Sequence, residues 1–254
     1  MSILEVEGAS LFYQVKGEGI PILFVHPPYL TSTTFDKQVE DLSSHYQVIT
    51  FDIRGHGYST PSTLPLTYER IRTDMVHLLD ALTIDKCYAC GYSLGGTIVL
   101  DFLLNAKERV EGGILIGGVP EVRDSLLRTK IKMAALLMKS KGRQLLAKSL
   151  AKSHARTTEQ YKMLLHTSLQ GDPLAIAQYY QYSLHYSCTS LLPEIKHPVH
   201  LTYGEEDKQF HKYAHLLSQN LPNNQLHFIK EADHRIPTKH PKALWELIQN
   251  FILT

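Results

Sequence analysis

A chain of 254 residues, 43% apolar and 20% charged, is long enough to bury one α/β core with a small inserted module, and its composition excludes a low-complexity or disordered protein. The net charge is +1, and three cysteines, Cys87, Cys90 and Cys188, are too few for a disulfide framework. The start, MSILEVEGASLFYQVKGEG, has no basic region followed by a long apolar run, and no segment approaches the apolar length of a membrane span, so a cytoplasmic protein is expected.

Short runs rich in Val, Ile and Tyr alternate with segments of helical period, which predicts parallel β-α-β units with helices on both faces of a sheet. Strands are expected near Ser2 to Glu7, Ser10 to Lys16, Pro21 to Val25, Gln47 to Asp52, Cys87 to Gly91, Val110 to Ile116, Val199 to Tyr203 and Gln225 to Ile229, eight in all. Between them, Tyr68 to Leu82 sets Ile71, Met75, Leu78, Leu79 and Leu82 on one helical stripe, while Leu94 to Ala106 is almost wholly apolar and predicts a buried central helix. The last helix opens with Pro241 at a first helical position and carries Leu244, Ile248 and Phe251 at core spacing.

Residues 119–196 break this rhythm. They have helical period and no convincing strand, so a helical cap is expected there, with 1–118 and 197–254 forming the core. From Val119 to Ile195 eleven lysines and arginines face five acids, against fifteen and twenty in the rest of the chain. Such a basic face suits an anionic substrate or partner, and it equally suits a solvated surface of long side chains.

Cys87 and Cys90 form a C-x-x-C, but no second pair follows at zinc spacing. In a strand, residues three apart point to opposite faces, so packing is the better account. Gly91-Tyr92-Ser93-Leu94-Gly95 matches G-x-S-x-G and lies between a predicted strand and the apolar helix. Composition alone yields such a pentapeptide in roughly one chain in ten of this size. Its position carries the weight, because chemistry in open α/β sheets collects beyond the carboxyl ends of the strands. A serine hydroxyl needs a base to take its proton and an acid to orient that base, and fourteen histidines are available.

Three further segments make the chain resemble the α/β-hydrolase superfamily along nearly its whole length. FDIRGHGYST (Phe51 to Thr60) is similar to the family motif Asp-x-Arg-Gly-x-Gly-x-Ser. LTYGEEDKQF (Leu201 to Phe210) is similar to its Gly-x-x-Asp strand end, and IKEADHRIPTKHPKALWELIQNFI (Ile229 to Ile252) to its last strand, histidine loop and final helix. The resemblance implies the α/β-hydrolase fold, a mostly parallel eight-stranded sheet with helices on both faces and a helical cap. It also implies Ser93 as nucleophile, His234 as base and Asp207 as acid, in the chain order the motif requires. Asp233 and Glu231 beside His234, and Glu121 after the Val110 strand, are rival acids. Asp52, Arg54 and His56 fall in a turn that is mainly structural in the family, and His26 reads as a loop-organising residue that also borders the substrate.

The chain departs from the family at the oxyanion hole. Leu94 supplies one backbone N–H, and the second is expected from Phe24 to Val39, where the family has His-Gly-x. Here His26 matches, Pro27 replaces the glycine, and Pro28 takes the donor position without an N–H. Either Tyr29 serves, by its N–H or its hydroxyl, or the hole has one backbone donor. Loss of a donor costs about 100- to 1000-fold in rate.

The expected reaction is hydrolysis of a small-molecule carboxylic ester, lactone or thioester through an acyl-enzyme, with no metal or organic cofactor. Carbon–carbon bond hydrolysis by the same triad and a ligand-sensing or partner-binding role on the same scaffold are the alternatives. Tyr92, Tyr182 and His26 are expected at the substrate. Tyr179, Tyr180, His185, Tyr186, Met133 and Met138 are read either as pocket lining or as cap core. No nucleic-acid partner is expected, and the oligomeric state is open.

Overall fold

The computed structural model describes residues 2–253. Its strands are β1 (Ser2–Val6), β2 (Ala9–Lys16), β3 (Ile20–Val25), β4 (Tyr46–Phe51), β5 (Cys87–Tyr92), β6 (Val110–Ile116), β7 (Val199–Gly204) and β8 (Asn224–Ile229). They form one sheet in the order β1-β2-β4-β3-β5-β6-β7-β8, with β2 antiparallel to both its neighbours and all other pairs parallel. All eight strands lie within two residues of the expected positions. Strands β3 to β7 are buried on both faces, which is why they read as continuous apolar runs instead of alternating ones.

The helices are α1 (Asp36–Leu42), α2 (Tyr68–Ala81), α3 (Leu94–Asn105), α4 (Ser125–Leu137), α5 (Gly142–His154), α6 (Thr158–Gln170), α7 (Pro173–His185), α8 (Lys208–Asn220), α9 (Ile236–Lys239) and α10 (Pro241–Ile252). Two separate cores form on the two faces of the sheet. One joins the α2 stripe Ile71, Met75, Leu78 and Leu79 to α3 and α8, and the other packs Leu244, Ile248 and Phe251 of α10 with Phe35 and Leu42 beside α1. Cys87 lies in the first core and Cys90 in the second, on opposite faces of β5. Burial pushes the Cys87 thiol up to about 12 and Cys90 higher still, so both are packing residues with no accessible thiolate.

Four helices, α4 to α7, occupy the stretch between β6 and β7, with only an isolated bridge from Glu121 to Ser187. Three of the four starts follow local capping chemistry, and α5 has no side-chain cap. The side chains of Asp124, Thr157 and Asp172 accept hydrogen bonds from the N–H groups of Leu127, Gln160 and Ala175, three residues on, and Pro173 sits at the first position of α7.

Parallel pairing places the strand ends that matter side by side. Val25 of β3 and Leu115 of β6 both flank Gly91 of β5, and Gly204 of β7 lies beside Ile229 of β8. The segments that follow, which carry His26, Ser93, Gly117, Asp207 and His234, therefore meet along one edge of the sheet.

Candidate active site

Ser93 stands between β5 and α3 at φ 54°, ψ −122°, a backbone conformation that side chains rarely adopt. The turn is held by Ser93 N–H donating to the Ile116 carbonyl at 2.8 Å and Gly96 N–H donating to the Ser93 carbonyl at 2.9 Å. Only glycine fits on either side. A Cβ at Gly91 would overlap the Gly95 carbonyl, and one at Gly95 would overlap the Val25 carbonyl, both rigid backbone.

His234 Nε2 lies 2.9 Å from Ser93 Oγ, and His234 Nδ1 lies 2.7 Å from Asp207 Oδ2. A carboxylate only accepts, so Nδ1 carries the proton and Nε2 is the acceptor of the serine O–H. The imidazole is fixed on three sides. Phe210 packs at 4.1 Å between ring centroids, Tyr92 at 5.4 Å, and a Cβ at Gly117 would come 2.7 Å from His234 Cε1. The rival acids are held elsewhere. Asp233 is paired with Arg235, which keeps its carboxyl down at about 2, and Glu121 accepts from Ser187 and Thr189 at 3.0 and 2.6 Å while pairing with Arg123. Glu231 is exposed.

The loop after β3 is braced from beneath. His26 is fully buried; Ile53 N–H donates to its Nε2 at 2.9 Å, which places the proton on Nδ1, 2.9 Å from the Pro27 carbonyl. Burial lowers its pKa to about 4, so the ring stays neutral. Asp52 accepts from the N–H groups of Ser32 and Tyr58 at 2.8 and 2.9 Å and so ties this loop to the turn after β4, whose Arg54 is paired with Asp74. From above, the Tyr179 and Tyr180 hydroxyls donate to the carbonyls of His26 and Pro28 at 3.1 and 3.3 Å.

A cavity of about 620 Å³ opens over Ser93 between the strand ends and helices α4 and α5. Its wall is mostly apolar, with Pro28, Ile131, Leu146, Leu150, Tyr180 and Phe210 prominent. One buried polar pair interrupts it: Tyr92 O–H donates to His154 Nε2 at 3.1 Å, because His154 Nδ1–H is 3.0 Å from the Leu150 carbonyl. Burial holds His154 at about 4. This pair links the end of α5 to the residue before Ser93.

Two expectations at this site are corrected. Tyr182 does not line the cavity; it packs on Tyr68 and Tyr186, with ring centroids 4.9 and 6.3 Å away, on the far side of α7. His26 lies beneath the loop and outside the cavity wall. The Tyr29 hydroxyl is likewise turned away from Ser93, donating to the Arg143 carbonyl at 2.6 Å. Tyr92, Tyr180 and Met133 do line the cavity. Tyr179 and Met138 are buried beside it, and His185 is exposed. Sequence reading missed His154 and Gly117. The first has no motif around it, whereas the pair Gly117-Gly118 at the end of β6 is a signal that the backbone needs room there.

The sheet order, the strained serine turn and the histidine it faces define an α/β hydrolase. Residues 20–241 match the family model of the alpha/beta hydrolase fold, and the chain belongs to that family. It is 31% identical to the putative carbamate hydrolase RutD of Azorhizobium caulinodans over 43% of this chain, and spans only 42% of that protein. It is 26% identical to the human serine hydrolase BPHL over 97% of this chain and 84% of that one. Among solved structures, the enol-lactonase from Burkholderia xenovorans LB400 superposes with a TM-score of 0.88 at 21% identity, covering 100% of both chains. Among the described residues no helix is long and apolar enough to cross a membrane.

Proposed function

We propose that the chain hydrolyses a small-molecule carboxylic ester, lactone or thioester by a Ser-His-Asp acyl-enzyme mechanism. The observation that carries this reading is the unbroken line Ser93 Oγ, His234, Asp207 at 2.9 and 2.7 Å on the floor of a largely apolar cavity. The names of the relatives, a serine hydrolase and an enol-lactonase among them, agree with it. In the proposed reaction His234 Nε2 takes the Ser93 proton as Oγ attacks the carbonyl carbon. Asp207 holds the imidazolium that results, and His234 then gives the proton to the departing alcohol or thiol. Water, deprotonated by the same nitrogen, releases the acid and restores Ser93. Residues 119–196 act in this reading as a cap that supplies the cavity's upper wall.

The oxyanion forms beside Leu94, whose N–H heads α3 and has no partner within the helix. For the second donor we assign the Tyr29 N–H. Tyr29 is fully buried at φ 66°, directly after cavity-lining Pro28, and its N–H has no hydrogen-bond partner among the described residues. Buried backbone donors are rarely left unpaired without a role. Tyr29→Phe is therefore expected to leave turnover within about threefold while costing about 1 kcal/mol of stability through the lost bond to Arg143. A fall of 100-fold in kcat would put the hydroxyl in the hole instead.

The test of the overall reading is covalent labelling by a fluorophosphonate, mapped by intact mass and peptide analysis. A single adduct on Ser93, absent from Ser93→Ala, is the expected result. A folded protein that takes no label would favour a ligand-binding role on this scaffold, with Pro28 as the reason.

A further inference from the structure

We propose that the outer face of the α4–α5 hairpin docks on an anionic lipid surface and brings the cavity wall against it. Residues 125–158 hold nine lysines and arginines and no aspartate or glutamate. None of the nine forms an ion pair among the described residues. Arg128 and Arg143 turn inward to the carbonyls of Val122 and Gly171, but Lys132, Lys139, Lys141, Lys148 and Lys152 are exposed.

Leucines and a methionine lie exposed among these cations. Leu126, Met133 and Leu136 on α4 are 55%, 50% and 63% exposed, and Leu145 on α5 is 73% exposed. Spacings of seven and three place Leu126, Met133 and Leu136 on one stripe of α4. Met133, half exposed on this stripe, also lines the cavity, so the cavity wall reaches this same face.

A lipid surface suits this arrangement better than the other occupants. A symmetric pair of these chains joined through this face would set two such basic patches against each other. An acidic protein would account for the lysines but not for the stripe of exposed leucines and methionine set among them. A bilayer takes both at once: leucines enter the acyl boundary while lysine side chains reach the headgroups. The docking does not rest on the hydrolytic reading. If that reading holds, the mostly apolar cavity would draw its substrate from the surface.

The experiment is sedimentation of the purified chain with vesicles of phosphatidylglycerol and phosphatidylcholine, or of phosphatidylcholine alone. Binding to the anionic vesicles is expected at low salt, at least tenfold tighter than to neutral ones and lost at high salt. Lys139→Gln, Lys141→Gln, Lys148→Gln and Lys152→Gln together should weaken it about 600-fold, as about fivefold per lysine implies. Leu136→Ser with Leu145→Ser should weaken it about tenfold. Both variants change only exposed side chains, so turnover of a short soluble ester should be unchanged, which separates this proposal from the triad assignment. Equal binding to both vesicle types, or none, by folded protein would overturn the proposal. So would concentration-dependent dimerisation abolished by the leucine changes without vesicle binding, which assigns the face to a second copy. Binding to polyglutamate but not to vesicles would assign it to an acidic polypeptide.

Discussion

Replacing Ser93 by alanine is expected to lower kcat by about 10⁴- to 10⁶-fold with little change in KM, and His234→Ala should fall in the same range. The size follows from the linear arrangement. In the proposed mechanism Ser93 and His234, 2.9 Å apart, act as one proton-transfer unit, so removing either removes the nucleophilic path entirely. A factor of 10⁵ corresponds to about 7 kcal/mol of transition-state stabilisation. Asp207→Asn should cost about 10⁴-fold, because an amide at this position can donate to Nδ1 and shift the ring to the wrong tautomer. Asp233→Asn is the discriminating control. It lies next to His234 in sequence but is held by Arg235, so steady-state turnover should stay within about threefold of the unsubstituted chain. Comparable losses at Asp233 and Asp207 would overturn the assignment of the acid.

How far the sequence speaks for itself depends on whether a structural need is local. The buried parallel strands were legible because both faces require apolar side chains, and the serine turn because Gly91 is demanded by the Gly95 carbonyl four residues on, although Gly95 is demanded by the Val25 carbonyl across the sheet. Helix α8 is not predicted, although Phe210, Tyr213, Ala214 and Leu217 form a stripe at helical spacing; the segment is polar on average and buries only that one narrow face. Tyr182 was misplaced for a different reason. Tyr179, Tyr180 and Tyr182 are near neighbours on α7, and sequence alone does not say which turn of that helix faces Ser93. The angle is set by long-range contacts such as those of the Tyr179 and Tyr180 hydroxyls with the loop after β3. The absence of an N–H on Pro28 was plain in the sequence, but the unpaired Tyr29 N–H beside it is a product of the folded loop.

Acid should unfold this chain between about pH 6 and pH 4, well before its carboxylates are all protonated. Four histidines are buried: His26, His154 and His200 are each held at about 4, and His56 at about 3, by loss of hydration of the charged ring. Their folded values lie below the unfolded value of about 6.5, so the unfolded chain binds more protons as pH falls through 6.5. The stability these rings confer is complete above that value and is withdrawn on the way down to their folded values. At 1.36 kcal/mol per pKa unit His26, His154 and His200 contribute about 3 kcal/mol each and His56 about 5, and the four together rival the whole stability of a typical domain. Asp36, raised to about 6 by burial, works in the opposite direction over part of the range and offsets about one histidine, and Asp52 and Asp74, also raised by burial, act in the same sense as Asp36. Asp233, held at about 2, acts only below the window. His200 is the ring to change. Neither of its nitrogens has a hydrogen-bond partner among the described residues, it stacks on His227 at 4.9 Å, and it lies far from Ser93 on β7. Urea unfolding followed by circular dichroism from pH 7.5 to 4.5 should show a steep loss of stability in the unsubstituted chain. His200→Phe should make that loss shallower by about one histidine's share, whatever it does to stability at pH 7.5. A pH slope unchanged by His200→Phe would mean that this ring is already protonated, or reaches water, in the native state.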